Sequence, residues 1–262
     1  MAIYSFLCLS GDKRSYELLG DHISNALRFY GNLRNTLFVK NINSKLLSKR
    51  VFDELVKYAV FFHDIGKIFY QKANVGKGCL SFVGHEFLSA IVFEKYVVKT
   101  VEEGLMDYSR EEFEETLWPT TFSILYHHHA MGYDERLRKT SVLRIEKEFI
   151  EKLIEKDIPP LAAQYLLRSE AETLKNVLRE VLEKIFHHSY DIPAKIGNLG
   201  IRLWNVLEAK PKLKRLSLAT LSTLIILDYL SAYKGRKGPK LKFYNILEQH
   251  YRTLIRVSRK PF

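Results

Sequence analysis

The feature that most constrains this chain is an adjacent His-Asp pair inside a hydrophobic helical segment. The stretch from Phe61 to Lys67 reads FFHDIGK, with the pair at His63 and Asp64. An ionised carboxylate in an apolar setting is costly unless something pairs with it, and a metal ion is a common partner. Because the dipeptide alone is weak evidence, its meaning depends on whether the rest of the chain supplies more ligands.

Composition favours a folded helical protein. The chain has 262 residues, of which 47% are hydrophobic and 13% aromatic, which is enough to bury a sizeable core and excludes wholesale disorder. Helix formers dominate, no repeat period occurs, and no segment alternates convincingly enough to predict a sheet. We therefore predict one all-α domain over residues 1–262.

Three observations predict a cytoplasmic protein with no membrane segment. Cys8 and Cys79 form no CxxC motif and predict no disulfide framework, which is typical of a reducing compartment. The first residues lack the basic start of a signal peptide. No uncharged stretch reaches about 18 residues, the length that a membrane span needs.

The charge is concentrated at the end of the chain. The formal net charge is +11, and residues 210–262 contain thirteen Lys and Arg against only Asp228 and Glu248. The rest of the chain is balanced, so a basic C-terminal part from about residue 210 carries the whole excess. A polyanionic partner is the natural interpretation. A basic surface that only aids solubility is the alternative.

Apolar periodicity predicts the helices. Residues 1–13 read as irregular or extended, and helices are expected at about 14–34, 45–70 and 81–103. Trp118-Pro119 is expected to open the next one, since proline is favoured in a first helical turn. Further helical patterns follow at about 141–157, 160–168, 170–189, 198–209, 215–233 and 243–258.

Histidine supplies the additional ligands. Five histidines fall on predicted core-facing helices close to small or apolar neighbours: His22, His63, His85, His127 and His128. A single histidine of this kind is more often a core residue than a ligand, but five of them beside an acid favour a metal site. Asp228 stands alone in an almost unbroken apolar helix, where its alternative role is a hydrogen bond between helices.

The predicted set contains seven residues, which is too many for one tetrahedral site. Two adjacent metal ions with waters completing each shell would use all of them. The sequence does not specify the metal, because histidine and carboxylate ligands accept Mn, Ni, Co, Mg or Zn.

These motifs resemble a known family. The segments HDIGK, GHEFLS, SILYHHHAM and LDYLSA look like the signature of the HD-superfamily phosphohydrolases, and they are similar to the HD nuclease of type I CRISPR interference. The resemblance covers residues 15–235 and implies a stand-alone nuclease subunit. No GxxxxGK[ST] motif occurs, so a separate helicase would supply unwinding.

The resemblance implies specific roles for the residues. His22, His63, Asp64 and Asp228 would hold one metal, and Asp64 would bridge to a second metal held by His85, His127 and His128. The chain has three consecutive histidines where the family shows a pair, so a one-residue shift would select His128 and His129 instead. Asp64 and Lys67 are the candidate catalytic residues, although Lys67 could equally be a solvated lysine at a helix end.

The basic stretch after Asp228 is a candidate nucleic-acid interface. Five cations fall within nine residues there: Lys234, Arg236, Lys237, Lys240 and Lys242. Their binding to a phosphate backbone would weaken steeply with salt. Tyr233, Phe243 and Tyr244 flank the stretch and would either stack on bases, as in single-strand binders, or belong to the core.

These sequence features allow three alternative hypotheses for the function. The first is a metal-dependent nuclease that cleaves single-stranded DNA during interference, together with a separate helicase and the CRISPR surveillance complex. The second is a small-molecule HD phosphohydrolase that acts on nucleotides. The third is a non-catalytic helical scaffold that binds metal.

Overall fold

The structure, a computed structural model, describes residues 2–10, 13–48, 51–73, 78–128, 131–141, 143–187, 191–236 and 242–257. Within these ranges it contains three strands, twelve α-helices and one short 3-10 helix. The strands are β1 (Tyr4–Ser10), β2 (Lys13–Leu18) and β3 (Gly78–Cys79). The first helices are α1 (Leu19–Leu33), α2 (Leu37–Leu46), α3 (Phe52–Phe62), the 3-10 helix (Ile65–Tyr70), α4 (His85–Glu102), α5 (Arg110–Tyr126) and α6 (Tyr133–Thr140). The last are α7 (Lys147–Lys156), α8 (Ile158–Ala162), α9 (Arg168–Phe186), α10 (Ile192–Ala209), α11 (Pro211–Arg236) and α12 (Lys242–Val257).

The predicted helical character is confirmed, but a purely α-helical fold is wrong. The three strands form an antiparallel sheet in the order β2-β1-β3. In β1 the side chains of Ser5 and Leu7 are buried while Tyr4 and Phe6 are half-exposed, so the alternation is real. Because apolar residues occupy both faces of this strand, the sequence pattern hides it.

The first helix starts later than expected. Residues 13–18 form β2, and Leu18 still has extended backbone angles, so α1 begins at Leu19 rather than near Arg14. The sheet therefore lies immediately before His22 in the chain. Its inner face brings a strand residue, Glu17, into the protein interior at 4% exposure.

The prediction that the cysteines form no disulfide is also wrong. Cys8 in β1 and Cys79 in β3 are paired across the sheet and joined by a disulfide. They are 71 residues apart in the chain, so no local pattern reveals the pairing.

Other helix boundaries also differ from the prediction. The expected helix over 45–70 is divided into α3 and the 3-10 helix, and α2 before it was not predicted. The helix expected to open at Trp118-Pro119 begins eight residues earlier, at Arg110, where Ser109 and Glu112 form a capping box. Pro119 is accommodated inside α5.

The long helix α11 lies at the centre of the molecule, where it packs against α1, α3, α5 and α10. A cluster of buried apolar side chains runs from Ile3 to Tyr251 around it. Within the described residues, α11 is the one helix long and apolar enough to cross a membrane, yet 61% of its most apolar window is buried inside the protein. Burial in a core accounts for this apolar composition equally well.

Candidate metal centre

The His-Asp pair lies where α3 ends and the 3-10 helix begins. His63 caps α3, and Asp64 precedes Ile65. The backbone of Gly66 packs directly against α4: its N–H donates to Ser89 Oγ at 2.8 Å. A Cβ at this position would collide with the carbonyl oxygen of His85 and lie 2.7 Å from the backbone nitrogen of Ser89. A glycine is therefore required to bring α4, and with it His85, next to Asp64.

Three histidines share one hydrogen-bonding arrangement. In each ring Nδ1 donates to the carbonyl oxygen three residues earlier: His63 to Val60 at 2.7 Å, His85 to Phe82 at 2.6 Å and His127 to Ile124 at 2.7 Å. A carbonyl only accepts, so Nδ1 carries the proton and Nε2 of the neutral ring keeps its lone pair. All three Nε2 atoms are buried without a hydrogen-bond partner. Three unused lone pairs therefore face the interior.

Asp64 lies between the histidines. Its Oδ1 is 2.8 Å from His85 Nε2, and its Oδ2 is 3.5 Å from His63 Nε2 and 3.6 Å from His22 Nε2. Because the proton of the neutral His85 ring is on Nδ1, this short distance is favourable only when a second proton or a metal ion lies between Nε2 and the carboxylate. Ligands bound at about 2.1 Å on neighbouring positions of one ion have a similar separation.

Asp228 approaches the same centre from α11. Its Oδ1 is 3.1 Å from His22 Nε2 and 3.7 Å from His63 Nε2. The other ring nitrogen of His22 lies 3.2 Å from a carboxylate oxygen of Glu17. The Ser231 hydroxyl, one turn past Asp228, donates to the His22 carbonyl oxygen at 2.6 Å.

The structure thus brings all seven predicted residues together. Their ligand atoms form three groups in which every atom lies within 4.8 Å of the others: His85 with His127 and His128, His22 with His63 and Asp64, and His63 with His127 and Asp228. The nitrogen and carboxylate donors are those that first-row divalent metals accept. These clusters can hold a metal ion. His129, the alternative ligand, lies outside the described residues.

The two carboxylates are ionised. Burial opposes ionisation of Asp64, but the neighbouring His63 and Lys67 hold its pKa well below the usual range. At Asp228 the hydrogen bond with His22 and the nearby His63 likewise outweigh burial and lower the pKa. Asp64 and Asp228 therefore each contribute a negative charge at neutral pH.

The histidines of the site differ in charge. Burial and the neighbouring His63 lower the pKa of His127 to about 3, and burial with His127 lowers that of His128. At His22 burial is outweighed by the hydrogen bonds to Asp228 and Glu17, so its pKa rises to about 9. In the absence of a metal, a proton on His22 partly balances the carboxylates. A metal ion would displace that proton.

Lys67 belongs to the site. Its side chain is buried, with Nζ 2.6 Å from Asp64 Oδ2 and 5.5 Å from the centre of the Phe82 ring. The alternative interpretation as a solvated lysine at a helix end is wrong. The ammonium therefore contacts the carboxylate that lies between the histidine groups.

A buried ion pair fixes α6 beside the site. Arg136 donates to both carboxylate oxygens of Glu86, at 2.5 and 2.7 Å, and Glu86 follows His85 directly. Gly84 has a φ of 90°, and a Cβ there would collide with Thr140 of α6. Sequence patterns gave no signal for this pair.

The predicted nucleic-acid interface is only partly described. Lys234 is exposed, with its ammonium 5.8 Å from the Phe29 ring. Arg236 and Lys242 lie at the ends of α11 and α12, and Lys237 and Lys240 lie outside the described residues. Of the flanking aromatic residues, Tyr244 is buried against Tyr233, whereas Phe243 is 46% exposed.

Glu17 is the residue of the site that the sequence analysis missed. A carboxylate five residues before a candidate ligand was placed on a predicted helix, where it would face solvent. If β2 had been recognised in the sequence, Glu17 would have been identified as a charged residue on the inner face of a strand.

Comparisons of the chain with protein-family profiles, with curated proteins and with solved structures gave no match. The site is therefore interpreted from its own chemistry.

Proposed function

We propose that the protein is a metal-dependent phosphodiesterase that cleaves single-stranded DNA, in line with the resemblance of its motifs to the HD nuclease of CRISPR interference. One observation carries the proposal. Asp64 lies within 3.6 Å of ring nitrogens of His22, His63 and His85. The Nε2 atoms of His63, His85 and His127 are buried without a hydrogen-bond partner. This arrangement has no use in a closed hydrophobic core, where unsatisfied polar atoms are destabilising.

As the resemblance implies, the ligands would form two positions that share Asp64. His22, His63, Asp64 and Asp228 would hold one divalent ion, and Asp64, His85, His127 and His128 the second. Bound there, two such ions supply an activated water and stabilise the charge that develops on a phosphodiester. The donor set accepts Mn, Ni, Co, Mg or Zn.

The residues of the chain prepare this chemistry. Asp64 and Asp228 are held ionised, and His127 and His128 are held neutral, so they are in the protonation states that bind metals. The Lys67 ammonium is positioned to donate to a phosphate oxygen of a substrate at Asp64. None of the proposed steps requires a protein nucleophile.

The net charge of +11 supports a polyanionic substrate. The excess positive charge lies after residue 210, and one of its residues, Lys234, is on α11, the helix that carries Asp228. A DNA strand at the site would therefore meet this charge. The proposed partners are a separate helicase, which would supply single strands, and the CRISPR surveillance complex.

The burial of the site favours a second candidate. His22 and His63 are completely buried, and Asp228 is only 8% exposed. Such restricted access suits a small phosphate ester, so a nucleotide phosphohydrolase is the alternative to a nuclease.

The test uses metal-stripped protein to which Mn, Ni, Co or Mg is returned. It is offered circular single-stranded DNA, duplex DNA and a panel of nucleotides. The proposal expects the circle to be cut, and Asp64→Asn to abolish the cut. Asp21→Asn is the matched control, because it makes the same change at an exposed position next to His22. Nucleotide hydrolysis with intact DNA would instead establish the second candidate.

A further inference from the structure

Glu17 is held by contacts from three parts of the chain. Its carboxylate accepts a 2.8 Å hydrogen bond from the Ser5 hydroxyl of β1 and lies 3.2 Å from Nδ1 of His22. It also lies directly against Gly235 of α11, where an added Cβ would overlap the carboxylate. A buried charge is costly unless it is paired and hydrogen-bonded, and the contacts with Ser5 and His22 supply both.

The contact makes His22 different from the other histidines of the site. His63, His85 and His127 donate Nδ1–H to backbone carbonyls, whereas the partner of His22 is an ionisable carboxylate. A carboxylate behind a ligand histidine fixes the ring orientation, keeps the proton on Nδ1 and makes Nε2 a stronger donor to a metal. The Nε2 of His22 faces Asp228 and Asp64, which is the direction that such a role requires.

We propose that Glu17 is a positioning residue that orients His22 as a metal ligand, so that the small sheet is part of the metal centre. Ser5 fixes the far oxygen of the carboxylate, and Gly235 leaves the space that it occupies. The inference rests on the metal-binding part of the proposed function. It does not depend on which substrate is cleaved.

Two substitutions disturb the carboxylate in different ways. Glu17→Gln keeps its shape and an accepting oxygen but removes the charge. Gly235→Ala leaves Glu17 intact but displaces its Oε1, which is the oxygen that faces His22. Gly200→Ala is the matched control, because this glycine also lies in a helix and has nothing within 4 Å of an added Cβ.

The experiment is a titration of the metal-free proteins with Co²⁺, followed by its visible absorption, with circular dichroism to verify folding. We expect Glu17→Gln and Gly235→Ala to weaken Co²⁺ binding by roughly tenfold to a hundredfold, as is typical for loss of a partner behind a ligand histidine. Glu17→Ala should weaken it further, since no acceptor remains for Nδ1–H. Gly200→Ala should bind as the unsubstituted protein does.

The outcomes separate the two proposals. Unchanged Co²⁺ affinity in the folded Glu17 variants would overturn the positioning role, even if their melting temperatures fall, since a purely structural residue alters stability alone. Failure of the unsubstituted protein to bind Co²⁺ would overturn both proposals. If the variants bind Co²⁺ weakly while the unsubstituted protein binds it but cleaves no phosphodiester, Glu17 keeps its role and the nuclease proposal fails.

Discussion

The hydroxyl of Ser231 donates a 2.6 Å hydrogen bond to the backbone carbonyl of His22, across 209 positions of the chain. Ser231 and Asp228 are three residues apart on α11 and therefore lie on the same helix face. One residue of this face contacts the His22 ring, and the other contacts its backbone. The position of His22 is thus set by α11 as well as by its own helix.

Replacing Ser231 by alanine should therefore destabilise the protein. The substitution leaves the buried carbonyl of His22 without this donor, which costs about 1–3 kcal/mol. Chemical denaturation of the metal-free protein measures the change in the free energy of unfolding. Ser222→Ala is the control, because this serine is on the same helix but exposed. Equal stability of the two variants would contradict the importance of the hydrogen bond.

Replacing Gly66 by alanine should separate the two halves of the site. The added methyl group would overlap backbone atoms of α4, and overpacking of this kind costs about 1–3 kcal/mol. Since His85 begins α4, relief of the clash would also move it away from Asp64. We expect both a lower melting temperature and weaker Co²⁺ binding.

Gly31→Ala provides the control for that experiment. Gly31 lies within α1 and has nothing within 4 Å of an added Cβ, so alanine there should stabilise the helix by about 0.5–1 kcal/mol. A Gly66→Ala variant that behaves like Gly31→Ala would rule out the close approach of the 3-10 helix to α4.

The ligand residues were the most predictable part of the molecule. Histidines and acids among apolar neighbours are conspicuous, because burial of such groups is costly without partners. The structure places all seven predicted residues together, although their role as ligands stays a prediction. Helix α4 was placed within four residues of its observed start, because its apolar pattern is long and bounded by a glycine-containing loop.

The parts that were missed depend on distant contacts or on competing local signals. The alternation of β1 is hidden because Tyr4 and Phe6 are apolar on its outer face. Pro119 was read as a helix start, although the capping box at Ser109 was present in the sequence. The partners of Glu17 come from β1, α1 and α11, and no local pattern encodes that combination.

Metal-free protein should lose stability as the pH rises from 6.5 towards 9. The folded-state pKa of His22 is raised to about 9 by Asp228 and Glu17 against the effect of burial. Because the folded state binds this proton more tightly than the unfolded chain, the stabilisation is complete below pH 6.5 and is lost as the pH passes through 9. Its size is on the order of 3 kcal/mol at about 1.4 kcal/mol for each unit of pKa.

Denaturation in the presence of a chelator, at a series of pH values, measures this effect. His22→Gln should flatten the curve above pH 6.5, since the titrating ring is gone. A curve with the same alkaline slope in both proteins would assign the pH dependence to another group.

Lys67→Met should affect catalysis more than metal binding. The ammonium contacts Asp64 Oδ2 and would compete with a metal for that oxygen, so its removal should leave Co²⁺ affinity equal or higher. Loss of its hydrogen bond to a substrate phosphate should lower kcat/KM at least about tenfold, which corresponds to about 1.4 kcal/mol. A parallel fall in Co²⁺ affinity and activity would instead assign Lys67 a role in holding Asp64.

Reduction of the disulfide should lower stability while the helical core remains. The Cys8–Cys79 bond closes a loop of 71 residues, for which chain entropy predicts a stabilisation of about 4 kcal/mol at most. Melting temperatures with and without a thiol reductant measure it, and Cys8→Ser/Cys79→Ser should match the reduced protein and be insensitive to the reductant. A reductant effect that persists in the double variant would exclude the disulfide as its cause.

The order of the ligands along the chain governs when the metal centre can form during synthesis. His22 and Asp228 meet across 206 positions, and α11 leaves the ribosome long after α1. A nascent chain that ends at α10 already contains six of the seven ligands but lacks the helix that completes the site. The growing polypeptide therefore acquires its full set of candidate metal ligands only when its most apolar long helix docks between helices that were made long before it.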